Sequence, residues 1–294
     1  MVHSVFSLRS LLYVAYAVVL TALLLYVRFP GEKFTAYFEQ RVERLLPGSA
    51  CTIEDIAYRF PWSAAFANIH IMRTIDGQDI DMVVERLSVT PEPRQFWRAF
   101  TLRGGMYSGL FTAGLDMDST KRQFHLTDIH LEGLEVEKLA QGVGLVDREI
   151  SGVFSFRGDY QAANNSPNDG VGTGEVEVVT GTIGLLQPIL ALSTIEFEKL
   201  RVRLSRQNGV IQFVDGELLG SEISADFTGE MRLTAPFLQS SILLTGHLTP
   251  DDVFLRDHPR EQQFVQRLLQ RYKVTVLPFK VGGTVQRPLF RFST

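Results

Sequence analysis

Cysteine is almost missing from this chain of 294 residues: Cys51 stands alone, so no disulfide can close within the chain, and the count fits a reducing or an oxidising compartment equally. Cys51 reads as a small residue at the start of a strand. Dense runs of lysine or arginine are absent as well, and the formal net charge is -4, with a pI near 5.9. A nucleic-acid partner, which needs a basic patch, is thereby disfavoured. Catalytic signatures are also lacking, with no His-Glu-x-x-His, Gly-x-Ser-x-Gly or Cys-x-x-Cys. The glycine-rich GVGTG has no following Gly-Lys-Ser/Thr and reads as linker rather than phosphate loop.

Two fragments come nearest to chemistry. Asp116 to Thr120, LDMDST in context, matches the Asp-x-Asp-x-Thr of haloacid-dehalogenase phosphotransferases, whose first carboxylate is a nucleophile. That chemistry needs a parallel α/β sheet, whereas the surrounding sequence carries antiparallel signals, so a hairpin end with solvated carboxylates is expected. His125 and His130 are five apart, which on an unbroken strand points them to opposite faces and disfavours a metal site. The chain is expected to be a non-enzyme with no cofactor and no metal.

The segment Ser10–Val27 lacks charge altogether. Its 18 residues would span roughly 27 Å as a helix, close to the hydrocarbon core of a bilayer. Arg9 and Arg28 bracket it, and Tyr13, Tyr16 and Tyr26 are available as interfacial anchors. A membrane anchor, a cleaved signal peptide and a core helix compete for it. A signal peptide should end in small residues, but this stretch ends LLLYVRFPGEKF, and core helices are seldom so uniformly apolar. An anchor over 10–28 is expected, carried by Leu11, Leu12, Val14, Val18, Leu20, Leu23, Leu25 and Val27. Residues 1–9 would be a cytoplasmic tail and the bulk of the chain periplasmic. Over 29–48, Phe34, Phe38, Val42 and Leu45 recur at helical spacing before Pro47-Gly48, giving an amphipathic helix that lies on lipid or closes one end of a β core.

From Thr52 onward strand signals dominate. Apolar-x-Gly-x-apolar recurs at irregular spacing, in Leu102–Met106, Phe156–Tyr160, Val179–Ile183, Val214–Leu218, Phe227–Met231, Leu244–Leu248 and Val281–Val285. Asp215-Gly216 reads as a hairpin pair. At Gly158, Gly229, Gly246 and Gly283 alternation runs through the glycine, which marks a bend, a bulge or a close backbone approach that lets the sheet curve. The apolar face, either a filled core or a groove, is assigned to Phe154, Phe156, Ile223, Phe227, Met231, Leu244, Leu248, Val281 and Val285. In IEFEKLRVRL the apolar phase slips by one between Phe197 and Leu200, as a bulge would produce.

Two interruptions divide the series. Residues 162–173, polar and glycine-containing, read as a loop between a first β half over 49–161 and a second over 174–294. Near 257–272, Phe264, Val265, Leu268, Leu269 and Tyr272 form one stripe of a helix of about four turns, set to pack on an open end of the sheet. The predicted class is mainly β: an N-terminal transmembrane helix, then a strongly twisted, curved antiparallel sheet forming an open barrel or groove, with a few short amphipathic helices.

Arg28-Phe29-Pro30, Phe60-Pro61-Trp62 and Gly283-Thr284-Val285 with Pro288, in this order of anchor, strands and late helix, resemble the type II secretion system protein N family. More distantly the chain is similar to AsmA-like and TamB-like proteins. The resemblance implies a single-pass inner-membrane protein with an incompletely closed periplasmic β body, serving as an accessory component of that secretion system beside its other subunits. The alternative it implies is a lipid-binding or lipid-transfer protein that holds phospholipid in an apolar β groove.

Overall fold

A computed structural model describes residues 49–293 apart from 60–62, 76–77, 96–97, 119 and 164–165, and ten positions between 13 and 43. The described chain is mainly β and forms one sheet of 14 strands. In order they are β1 (Ser49–Arg59), β2 (Ser63–Ile75), β3 (Gln78–Pro91), β4 (Ala99–Met106), β5 (Gly109–Asp118), β6 (Gln123–Glu135) and β7 (Ile150–Ala163), then β8 (Ser166–Ile189), β9 (Leu192–Gln207), β10 (Val210–Gly220), β11 (Ile223–Arg232), β12 (Ser241–Pro250), β13 (Leu277–Gly283) and β14 (Pro288–Phe292). Each pairs antiparallel with the next, and β1 and β14 are the two edges. Three short helices interrupt the meander: α1 (Val136–Gly142), α2 (Asp252–Asp257) and α3 (Pro259–Tyr272).

Local chemistry accounts for many of these elements. In β11, Ile223 and Met231 are buried while Asp226, Thr228 and Arg232 are exposed, the period-2 alternation of a strand with one dry face. The slip in β9 is a bulge: Lys199 opposes Leu219, but Gly220 opposes Phe197, leaving Glu198 unmatched. Asn208 and Gly209, at φ 52° and 72°, form the two-residue turn between β9 and β10, a pairing of residues suited to that left-handed geometry. Helix α2 starts where the Asp251 carboxylate accepts the Val253 N–H at 2.7 Å, and α3 begins on Pro259 and ends where Lys273 enters the left-handed region at φ 54°.

Three expectations are corrected. Asp215-Gly216 is not a turn but sits inside β10, where the register shifts between Phe213 and Gly216, and Val214 and Asp215 both face solvent. A bulge and a turn ask for the same local backbone freedom, so the dipeptide alone does not choose between them. Residues 166–173, expected as loop, belong to β8, which pairs with β7 from Gly158↔Gly174 through Gln161↔Val171. Val285 does not share a strand face with Val281: β13 ends at Gly283, whose φ of 93° starts the turn to β14. The Val285 N–H then donates to Ser240 O at 3.0 Å.

The sheet is bent around its apolar face. A flat sheet would hold β14 roughly 29 Å from β8, six strand spacings away, yet the two strands touch. Helix α1 likewise touches both β3 and β7. Every described α-helix leaves the same margin of the sheet, because α1 follows β6, α2 and α3 follow β12, and the described positions from 35 to 43 are helical and precede β1. At that margin two cores form. One gathers Cys51, Ile53, Ile56, Phe66 and Ile69 with Phe38, whose ring meets that of Phe66 edge-on at 5.0 Å. The other joins Ile223, Leu248, Leu277 and Phe279 of the sheet to Phe254 of α2 and Val265 of α3. The late helix thus closes the sheet as expected, with Leu268 and Leu269 turned inward and Phe264 outward.

Between the two readings of the 29–48 segment, the described positions show closure of the β core. Glu39 accepts the Ile53 N–H at 2.9 Å and Glu43 the Cys51 N–H at 3.5 Å, both on the free edge of β1. Burial, and then the nearby Glu39 and Glu43 carboxylates, push the Cys51 thiol above its ordinary pKa. The expected anchor lies outside the described residues except for Tyr13, Tyr16, Ala17 and Leu20, which are helical and exposed. Among the described residues no helix is long and apolar enough to cross a membrane.

Candidate functional site

Strand register assembles on the apolar face an arrangement that no single strand displays. Following partners from β1 to β7 gives Ile56, Phe66, Leu87, Gly104, Phe111, Leu131 and Phe156. The same row continues from β8 to β14 through Val176, Val202, Gly216, Phe227, Gly246, Phe279 and Phe292. One residue from each strand contributes, and none brings a polar side chain. Ile56 and Phe66 are buried at one end and Val202, Gly216 and Phe279 toward the other, where Phe227, Gly246 and Phe292 between and beyond them are half-buried, whereas every member from Leu87 to Val176 is only half-buried. Apolar surface is therefore left partly uncovered over β3–β8, between the two cores.

Glycine positions in this face are dictated by what lies opposite. The Phe111 ring occupies the space a side chain at Gly104 would need, Phe197 does so at Gly181, and Phe227 at Gly216. Aromatic rings laid over cross-strand glycines both cover the backbone and let strands coil tightly. Of the expected curvature glycines, Gly158 would place a Cβ 2.8 Å from the Gly174 Cα, and Gly229 one 2.8 Å from the Leu244 Cα. At Gly246 it would fall on the Asp226 carbonyl oxygen. Gly283, by contrast, is the last residue of β13, opposite Pro288, and opens the turn to β14.

Eight of the nine expected apolar-face residues lie on this face. Phe156 and Phe227 are in the row above. Phe154 and Leu248 share a neighbouring row through Val178, Leu200, Leu218 and Ala225. Leu244 and Val281 are cross-strand partners, Met231 opposes Ile242, and Ile223 is buried in the core under α3. Val285 is the exception.

A residue missed in the sequence is Arg206. It pairs with Gly172 and Ile211, in the register of Tyr160 and Met231, which places it on the apolar face. Its guanidinium carbon sits 5.2 Å from the centroid of the Tyr160 ring, a cation–π distance. Alternation through Leu204-Ser205-Arg206 would have revealed it. Arg206 supplies planar hydrogen-bond donors within an otherwise apolar face.

The opposite face is wet. Arg157 opposes Glu175, Glu175 opposes Arg203, and Arg203 opposes Asp215; alongside, Glu177, Arg201 and Glu217 form a second charged row. Arg201 pairs with Glu175, Arg203 with Asp215, and Lys199 reaches Glu177 at 2.9 Å. The Lys199 hydrogen bond holds the Glu177 carboxyl below its usual pKa. A hollow of about 380 Å³ on this face is lined by His130, Glu132, Arg157, Glu175, Glu177 and Arg201, a surface suited to water rather than to an apolar guest.

The chemical candidates resolve into ordinary structure. Asp116 opposes Ala99 and His125 inside antiparallel β5, and the Asp118 carboxylate accepts the Thr120 and Lys121 N–H groups at 2.9 and 3.1 Å, making the hairpin turn. These bonds, that from Lys121 first, lower the Asp118 pKa. His125 and His130 do not point to opposite faces: a bulge with Asp128 at φ 49° resets the phase, so both share the polar face with Gln161 and Arg157. Among the described residues no group of His, Cys, Asp and Glu side chains is arranged to hold a metal ion.

No protein-family model, curated protein or solved structure matches this chain.

Proposed function

We propose that the chain is a non-enzymatic protein held at the inner membrane by residues 10–28. Its β body lies in the periplasm and forms a strongly twisted, incompletely closed trough for the acyl portion of an amphiphile such as a phospholipid. One observation carries the reading: the continuous apolar row is buried at Ile56 and Phe66 and again at Val202, Gly216 and Phe279, but every member from Leu87 to Val176 is only half-buried. Leaving such surface to water is unfavourable by roughly 25 cal/mol per Å², and an acyl chain would cover it without demanding a polar partner. Arg206, beside the Tyr160 ring, gives that face a cation toward which an anionic head could turn. Charged side chains on the other face favour a single apolar side rather than a sheet buried in lipid. Lipid extraction and native mass spectrometry of the detergent-purified full chain test this: co-purifying phospholipid at about one per chain supports it, and a lipid-free protein contradicts it.

The resemblance to the type II secretion system protein N family supports a second reading, in which the same body is a structural or accessory subunit of that export machinery. The described succession of glycine-punctuated strands, amphipathic α3 and a terminal strand pair has the order that the resemblance implies. A lipid-free chain that co-purifies with secretion subunits would favour this reading over the first.

A further inference from the structure

Helix α3 presents two different faces. Val265, Leu268 and Leu269 pack into the core beneath it. Along one flank Arg260, Phe264, Arg267 and Arg271 follow one another at spacings of four, three and four, so they form one stripe along the helix, and all four are exposed. Lys273, exposed, follows at the left-handed C-terminal cap. Phe264 is 45% exposed, a large apolar side chain standing among cations. Val253 on α2 and Val276 just beyond α3 add exposed apolar surface at 55% and 37%.

Strand-borne Arg201 and Arg203 each have a carboxylate partner. Arg260, Arg267, Arg271 and Lys273 have none among the described residues. The nearest acid in sequence, Glu261, lies half-buried on the flank. A helix with arginines spaced around a projecting phenylalanine matches a surface that offers negative charge and an apolar phase at one depth. The chain's net charge of -4 makes the attraction local to this helix. Helix α3 also leaves the sheet at the margin where β1 begins.

We propose that the outer stripe of α3 docks on an anionic lipid surface, with Arg260, Arg267 and Arg271 at the phosphate level and Phe264 inserted among the acyl chains. Docking of this kind would fix the tilt of the β body on the bilayer, and it holds whether or not the trough carries an amphiphile.

The test uses the full chain carrying Phe264→Trp, reconstituted in phosphatidylcholine vesicles with or without phosphatidylglycerol, each containing brominated acyl chains. The change keeps an aromatic ring beside Phe292, whose centroid is 6.3 Å from that of Phe264. Quenching of fluorescence in excess of the parent chain's is expected in the anionic vesicles and little in the neutral ones. Adding Arg260→Gln, Arg267→Gln and Arg271→Gln should shift the docking equilibrium on the order of a hundredfold, at about fivefold per cation, and bring quenching down to the neutral level. Hydrogen exchange of α3 in the unsubstituted chain gives an independent readout, slower in the anionic vesicles. Equal quenching in both vesicle types, or none in either, overturns the proposal, and so does full quenching in the triple-substituted chain.

Discussion

Gly246→Ala is the substitution in which the geometry of the apolar face makes its sharpest demand. A single methyl group added here falls on the Asp226 carbonyl oxygen and lies 2.8 Å from the Phe227 Cα, both in the neighbouring strand. No side-chain rotation relieves a clash with backbone, so β11 and β12 must separate locally. Losing about two ladder hydrogen bonds at ~1 kcal/mol each, with overpacking of 1–3 kcal/mol, gives a destabilisation of about 3–5 kcal/mol. Gly282→Ala is the control: it lies in the adjacent strand β13 on the polar face, a Cβ there meets nothing within 4 Å, and its backbone is not left-handed. That change should be neutral, or stabilise by about 0.4–1 kcal/mol through the unfolded chain. Thermal unfolding of the two variants in one detergent should place Gly246→Ala roughly 6–20 °C below the parent, at 2–4 °C per kcal/mol, with Gly282→Ala at or slightly above it. Equal melting of the two variants would refute the close strand approach on which the bent sheet depends.

Further outcomes follow from other parts of the structure. Replacing Glu39 and Glu43 together by Ala removes both acceptors for the β1 edge and should cost about 2–6 kcal/mol, at 1–3 per partly buried donor, with self-association through β1 visible by light scattering. Arg206→Leu should preserve amphiphile loading but reduce preference for anionic over zwitterionic phospholipid by about tenfold, read by competitive loading and mass spectrometry. Glu135, Asp147 and Glu177 have lowered pKa values, from Lys138, Arg148 and Lys199 hydrogen bonds respectively, as does Asp118 from its turn amides. Their folded values lie below their unfolded ones, so the stability they add is present above the unfolded carboxylate range and lost as pH falls through the folded values; melting temperature against pH should drop on that acid side.

Much of the architecture was legible because it is local. Alternation in β11, the phase slip in β9 and the stripe of α3 all follow from side chains a few residues apart. Features set by distant partners were not. The turn Leu190-Ala191 has two left-handed non-glycine residues, at φ 48° and 64°, a strained choice that sequence preference opposes. Burial of Leu190 in the core offsets part of it, since burying such a side chain is worth about 2 kcal/mol against roughly 2–4 for the two strained residues together. The phases of His125 and His130 depend on a bulge at Asp128 that answers to β5 and β7, not to β6 alone. In the candidate site, residues such as Phe154 and Phe227 were visible as apolar members of their own strands. Their assembly into rows, the rings laid over Gly104, Gly181 and Gly216, and Arg206 among them required the register of neighbouring strands.

Site-specific photocrosslinking addresses the trough most directly, with a benzophenone amino acid replacing Phe156 on the apolar face or Val153, 41% exposed nearby, in the full chain within lipid-labelled membranes. An amphiphile-holding trough predicts a lipid adduct from the Phe156 position and far less from that of Val153. Adducts from both alike, or a Phe156 position that reacts with protein and never with lipid, would contradict it.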